Sequence, residues 1–190
     1  MEMNSFIKVY DNMLPLKSLS VLIKVLNKKI YEKATIRGDG PTSKVDERIR
    51  KVTKYQLCNT SKFQTDIKWA NVLTLMFKQF IRKYYDELNM PGMEIGQILE
   101  IDALKYDKGC FYGYHHDHYE KVPRQLSLIF LLNNDYEGGE LEFKNYHSDK
   151  SIKIQTMPNR LIIWPSSFLF PHRVNEVTKG TRYSIVSWMY

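Results

Sequence analysis

Apolar positions repeat in two different ways along this chain. Before Glu94 the spacing is mainly helical; after it, short apolar runs alternate with turn residues. Leu16, Leu19, Leu22, Ile23 and Leu26 recur at helical intervals and predict a helix through Ser20 to Asn27, with Pro15 near its first turn, where a missing N–H does no harm. Trp69, Val72, Leu73, Met76, Phe77, Phe80, Ile81 and Tyr84 form one stripe within Thr60 to Asn89. That stripe predicts a long helix packed on the back of a sheet, ended by Asn89, Pro91 and Gly92. Phe6 to Tyr10, Tyr31 to Ile36 and Val52 to Cys58 read as strands. Arg37 to Arg48, with Gly38, Asp39, Gly40, Pro41 and Ser43, reads as a polar loop, either a lid or ordinary surface.

Past Glu94 the predicted strands are Gln97 to Tyr106, Gln125 to Leu132, Gly139 to Phe143, Ile152 to Thr156, Arg160 to Trp164, His172 to Val177 and Thr181 to Trp188. Asn133 to Gly139 is a turn cluster. No repeat or linker interrupts the chain. The expectation is one mainly β domain of α+β type over residues 1–190. Residues 1–95 form a helical support region with a few strands, and 96–190 form the β core.

Composition narrows the class without naming a function. At 190 residues, with 43% hydrophobic and 26% charged residues, the chain can bury a core. No apolar run approaches the ~20 residues of a membrane span, and the N-terminus lacks a signal-peptide pattern, so a soluble, cytoplasmic protein is expected. Cys58 and Cys110 follow no zinc spacing and read as free thiols in a reducing compartment. The formal net charge is +7, but Lys and Arg are dispersed, densest at Lys28-Lys29 and Arg48 to Lys54. That favours solubility over a nucleic-acid partner.

The chemistry gathers around Tyr106 to Asp117, Y-D-K-G-C-F-Y-G-Y-H-H-D. On an extended strand, residues two apart point to one side, so His115 and Asp117 would converge. His116 and His118 would share the other side, and by themselves the residues leave both pairs open. His172, from a later strand, would complete two His and one carboxylate, a set that suits Fe(II) and leaves coordination positions open. Arg182 follows ten residues later, on a strand whose alternate residues are Arg182, Ser184, Val186 and Trp188. Taken alone it reads as a surface charge; inside a barrel it would need an anion. His147 lies in the polar stretch Lys144 to Lys150 and reads as exposed.

The ordered set is more specific than its parts: H-x-D at His115 and Asp117, L-L-N-N-D-Y-E-G-G-E-L at Leu131 to Leu141, R-L-I-I-W-P at Arg160 to Pro165, then His172 and G-T-R-Y at Gly180 to Tyr183. From Gln97 to the C-terminus it resembles the Fe(II)/2-oxoglutarate dioxygenases, and within them the prolyl hydroxylases of collagen, hypoxia-factor and microbial or viral type. The resemblance implies a double-stranded β-helix, or jelly-roll, backed by N-terminal helices. It implies Fe(II) on His115, Asp117 and His172. It implies that Arg182 pairs with the far carboxylate of 2-oxoglutarate, where collagen-type members carry Lys, with Tyr106 nearby and a hydroxyl from Thr181 or Ser184. Leu131 departs from the hypoxia-factor pattern, which has a tyrosine there touching 2-oxoglutarate.

On the substrate side, Tyr112, Arg124 and Trp188 match residues that meet the target proline or line its binding face. For Tyr112 and Trp188, barrel packing is an equal alternative. The implied activity is 2-oxoglutarate- and O2-dependent hydroxylation of a prolyl residue in a peptide or protein, with succinate and CO2 formed and ascorbate assisting, in the cytoplasm (a host's, for a viral protein). The alternatives are hydroxylation of another residue, a free amino acid or a small metabolite, demethylation of nucleic acid, and a jelly-roll binding module without catalysis. Demethylases carry a second arginine where this chain has Trp188, which counts against that alternative.

Overall fold

The computed structural model describes residues 3–37, 43–58, 60–146 and 150–190. Pro15 adopts φ −54° and leads the chain into α1 (Leu16–Leu26), which buries Leu19, Leu22 and Leu26. The second helix, α2 (Gln64–Glu87), buries Trp69, Leu73, Met76, Phe77, Ile81 and Tyr84, while Val72 stays exposed. It starts later than Thr60 because Asp66 organises its first turn: Tyr55 and Ser61 donate hydroxyls to that carboxylate, and Lys29 pairs with it at 2.5 Å. Asn89, at φ 56°, ends the helical path in the left-handed region.

The strands, in chain order, begin with β1 (Lys8–Asp11), β2 (Glu32–Lys33), β3 (Ile36–Arg37), β4 (Ser43–Lys44), β5 (Arg50–Lys51) and β6 (Thr53–Gln56). After α2 come β7 (Ile98–Tyr106), β8 (Phe111–His115), β9 (Leu126–Leu131), β10 (Glu137–Gly138) and β11 (Leu141–Phe143). The chain ends with β12 (Ile152–Ile154), β13 (Arg160–Pro165), β14 (His172–Val174), β15 (Val177–Lys179) and β16 (Arg182–Met189). A seven-stranded sheet runs β1-β13-β9-β16-β7-β6-β2 and a five-stranded sheet runs β12-β11-β14-β8-β5. The named pairings are antiparallel. The two sheets enclose one interior, the jelly-roll expected from the resemblance.

Strand alternation sorts the side chains of the larger sheet. Ile101, Ala103, Leu128, Phe130, Leu161, Ile163 and Ile185 pack with both helices. Leu104, Tyr106, Ile129, Leu131, Ile162, Trp164, Val186 and Trp188 face the smaller sheet. Strands from before residue 95 enter both sheets: β6 pairs with β7, and β5 with β8.

Several local expectations change. The stretch His172 to Val177 divides into β14 and β15, and Tyr31 to Ile36 into β2 and the start of β3. The stems of the expected loop pair as β3 and β4, Ile36 opposite Lys44. The centre of that loop, 38–42, and His147 lie outside the described residues. Cys58 and Cys110 are free. Among the described residues no helix is long and apolar enough to cross a membrane.

Candidate active site

His115 ends β8 and stands opposite His172 of β14, so the ladder between these strands brings two imidazoles together. Their ring centroids are 4.3 Å apart. Asp117 is not on the strand, contrary to the extended geometry expected of it. It lies two residues beyond, in a turn held by Ser166, whose carbonyl accepts the N–H groups of Asp117 and His118 at 3.2 and 3.0 Å. The convergence survives because the turn, not the strand pleat, aims the carboxylate. Ligand atoms of His115, Asp117 and His172 all lie within 4.8 Å of one another. His116 and His118 do not join them; their Nδ1 atoms bond the carbonyls of His118 and Arg124 at 2.9 Å. His116 is half-buried in the cavity wall and His118 is exposed.

The surroundings prepare this cluster for a cation. His115 Nδ1 lies 2.9 Å from the Gly113 carbonyl and His172 Nδ1 lies 3.0 Å from that of Phe170. A carbonyl only accepts, so each Nδ1 carries a proton, and a neutral ring then presents its Nε2 lone pair to the centre. Burial, reinforced by His172, holds His115 well below an ordinary imidazole. Burial pushes the Asp117 carboxyl up, but His172, His115, the Ser127 hydroxyl and the Trp188 indole outweigh it and hold it below the usual carboxylate range. Ser127 donates to Asp117 Oδ2 at 2.7 Å and contacts the Ser166 hydroxyl at 2.7 Å. Two imidazoles that present Nε2 and one oriented carboxylate fit Fe(II).

Behind Tyr106 lies a second feature. Arg182, opposite Tyr106 across the β7–β16 ladder, is 1% exposed. Its Nη1 donates to Ser184 Oγ at 2.7 Å, and its guanidinium sits 5.0 Å from the Tyr106 ring centre. Among the described residues Nε and Nη2 have no hydrogen-bond partner, and the buried Tyr136 hydroxyl, near the guanidinium and Thr156, makes no well-formed hydrogen bond either. Unpartnered buried donors are costly, and two on one guanidinium match the two oxygens of a carboxylate. Gly139 makes room: at φ +67°, a Cβ there would stand 3.0 Å from Arg182 Cδ and 2.9 Å from Val177 Cγ2. Ser184 is therefore the hydroxyl beside Arg182, while Thr181 turns away to Asp107 at 2.8 Å. Leu131 is buried and apolar. Tyr136 adds a phenol beside Arg182, and it lies in the turn cluster Asn133 to Gly139, where residue type alone does not mark it out.

A cavity of about 460 Å³ joins the cluster to Tyr106, Tyr112, Arg124, Trp164 and Trp188. Tyr112 stacks on His115 with centroids 3.6 Å apart. Arg124 lies 3.6 Å from the Trp188 ring centre, donating to Glu100 at 2.5 Å and to the Tyr190 hydroxyl at 3.1 Å. Arg124 and Trp188 thus contact each other as well as the cavity. Arg50, Lys54, Glu100 and Asp102 also line it. Arg50 and Lys54 sat in a basic stretch read as solubilising. Glu100 and Asp102 share a strand face with Tyr106, so alternation along β7 held the missed signal.

Comparison with known proteins agrees with this geometry. The family model described as the 2OG-Fe(II) oxygenase superfamily matches residues 101–190. A PKHD-type hydroxylase of Picosynechococcus is 31% identical over 165 residues, 85% of this chain and 61% of the relative. The chain spans less than two thirds of the length of such curated relatives. A prolyl hydroxylase from Trichoplax adhaerens, solved with a hypoxia inducible factor oxygen degradation domain peptide fragment, superposes with TM-score 0.73 at 17% identity, covering 98% of this chain and 84% of that one. A Pseudomonas putida prolyl-4-hydroxylase gives 0.71 at 18% identity, covering 97% and 92%.

Proposed function

We propose, from the match of residues 101–190 to the 2OG-Fe(II) oxygenase superfamily model, that the chain hydroxylates a prolyl residue in a peptide or protein, converting 2-oxoglutarate to succinate and CO2. The observation that carries this reading is one molecule combining a His-Asp-His cluster with a buried arginine that lacks an anion. His115, Asp117 and His172 would hold Fe(II), each through an atom left free by the hydrogen bonds that orient it. Arg182, with Ser184 and Tyr136, would grip the distal carboxylate of 2-oxoglutarate, and Tyr106 would wall that end of the site. Bound Fe(II), with 2-oxoglutarate and O2, supplies the oxidising chemistry, and ascorbate keeps the metal reduced. Tyr112 and Trp188 offer flat apolar surfaces for a pyrrolidine ring, and Arg124 a donor beside them. Residues 96–190 carry the chemistry, and residues 1–95 support the sheet and complete the cavity wall.

The peptide neighbour from Trichoplax supports a peptide or protein substrate. A second reading, hydroxylation of another residue, free amino acid or small metabolite, draws on one observation: the Arg124 guanidinium covers part of the Trp188 ring that a proline would use. The deciding experiment incubates the protein with Fe(II), 2-oxoglutarate, ascorbate and proline-containing peptide libraries. Succinate and a mass gain of one oxygen on proline are expected. Oxygen on another residue transfers the assignment to the second reading, and failure to bind both Fe(II) and 2-oxoglutarate overturns the enzyme itself.

A further inference from the structure

Apart from the cluster and the Arg182 pocket, one wall of the cavity holds buried polar atoms that neither Fe(II) nor 2-oxoglutarate explains. Asp102 of β7 is 6% exposed and lines the cavity, and its Oδ1 has no partner among the described residues. Its Oδ2 meets Lys54 of β6 only at 3.5 Å. Burial pushes the Asp102 carboxyl up, and Lys54 and Arg50 act against that rise. Arg50 of β5 lines the same cavity, lies 4.5 Å from the Tyr112 ring centre and donates Nη1 to the Thr35 carbonyl at 2.9 Å. Its Nε is buried without a partner among the described residues.

This wall therefore offers one unfilled acceptor and one unfilled donor, next to the tyrosine that stacks on His115. Lys54 already faces the carboxylate, so what is missing is a hydrogen bond on each side and not a further charge. A residue in extended conformation turns its own N–H and C=O to the same side, as it does in an antiparallel ladder. We propose that Asp102 and Arg50 form a main-chain subsite, with Asp102 Oδ1 accepting the N–H and Arg50 Nε donating to the C=O of one extended substrate residue flanking the oxidised one. The subsite rests on the peptide-hydroxylase reading. It reads backbone, and so tolerates varied side chains at the flanking position.

The test uses the full chain and nine-residue peptides with a central proline. The best-oxidised peptide is remade with each flanking amide replaced in turn by an ester, which removes one N–H. Asp102→Asn, close in volume, keeps an acceptor oxygen but not the charge, and should raise KM for the all-amide peptide about fivefold, the difference between a charge-assisted and a neutral hydrogen bond. For one ester analogue, wild type and Asp102→Asn should differ less than about twofold, as the coupling in a double-mutant cycle requires. Arg50→Lys, which keeps the charge and removes Nε, should raise KM for the all-amide peptide several-fold, and it keeps the test open if Asp102→Asn does not fold. If Asp102→Asn weakens amide and ester peptides equally, and Lys54→Met does the same, Asp102 only anchors Lys54 and the subsite is refuted. If wild type consumes 2-oxoglutarate but oxidises no peptide, the peptide-hydroxylase reading falls first and takes the subsite with it.

Discussion

The two faces of the seven-stranded sheet are made by the same strands, yet they are built to different rules. The back buries Leu73, Phe77, Ile81, Leu128, Phe130 and Ile185 in one apolar cluster. The polar groups among it are mostly answered, as where Asp66 meets Tyr55, Ser61 and Lys29. The front and the cavity it lines hold Arg182, Tyr136, Trp164, Asp102 and Arg50, each with a buried polar atom lacking a partner. Tyr31, packed against the back cluster, and Arg173, beside Glu142, each carry one such atom as well. The outer face of the smaller sheet supplies a control. Glu142 there is 3% exposed and fully answered by Tyr114, Arg173 and Asn175. Polar burial alone therefore does not mark a binding surface. What sets the front apart is several partnerless buried atoms gathered around the His-Asp-His cluster, a cost that a ligand can remove.

Substitutions on the two faces should separate activity from stability. The largest effect is expected at the centre: Asp117→Ala should abolish Fe(II)-dependent succinate formation, and retained turnover would move the ligand assignment elsewhere. On the back, Phe77→Ala should cost about 4 kcal/mol of unfolding free energy in urea melts, with KM for 2-oxoglutarate within about twofold of wild type. A large KM change there would erase the division between the faces.

Arg182→Met should raise KM for 2-oxoglutarate by roughly 100-fold, the loss expected when a buried carboxylate loses its charged partner. The same change should leave the ligand-free protein equally or more stable, because it removes an unanswered buried charge. Thermal melts with and without 2-oxoglutarate check both halves, and a markedly destabilised ligand-free variant would show that Arg182 is already satisfied.

Glu142 sharpens the control. Its carboxyl is lowered from 4.5 to about 2 despite burial, because hydrogen bonds from Asn175, Tyr114 and Arg173 favour the charged form. A lowered value means that its stabilisation is complete above pH 4.5 and is lost as pH falls towards about 2. Glu142→Gln should cost about 2 kcal/mol at pH 7, with the gap to wild type closing across that acid window in pH-dependent melts. A constant gap would mean that charge plays no part. The smallest effect is expected at Ser127→Ala, which frees Asp117 Oδ2. It should weaken metal binding about tenfold, read by Co(II) absorption titration without turnover, and an unchanged affinity would leave Asp117 oriented by Trp188 and Ser166 alone.

Helix α2 and the central strands were legible because each follows a period that burial enforces over many residues. Strand ends were less legible, as at β14 and β15, because a break there depends on which neighbour each residue finds. The candidate cluster was legible through His115, Asp117, His172 and Arg182 in order, although the turn and not the strand pleat aims Asp117. Tyr136, Ser127 and Asp102 were not legible as site residues, since a Tyr in a turn, a Ser in an apolar run and an Asp in a strand are each ordinary.

By itself the sequence determined the apolar periodicity, the order of the ligand-bearing residues and the chemistry they can supply, because these reside in residue type and spacing. Tertiary structure alone decided that Asp117 is aimed from a turn, that Ser184 and not Thr181 stands beside Arg182, and that Arg50 from the N-terminal half meets Asp102's wall of the cavity. Each of those outcomes depends on a partner distant in sequence, and a hydrogen bond left unmade can be recognised only after every possible partner has been placed.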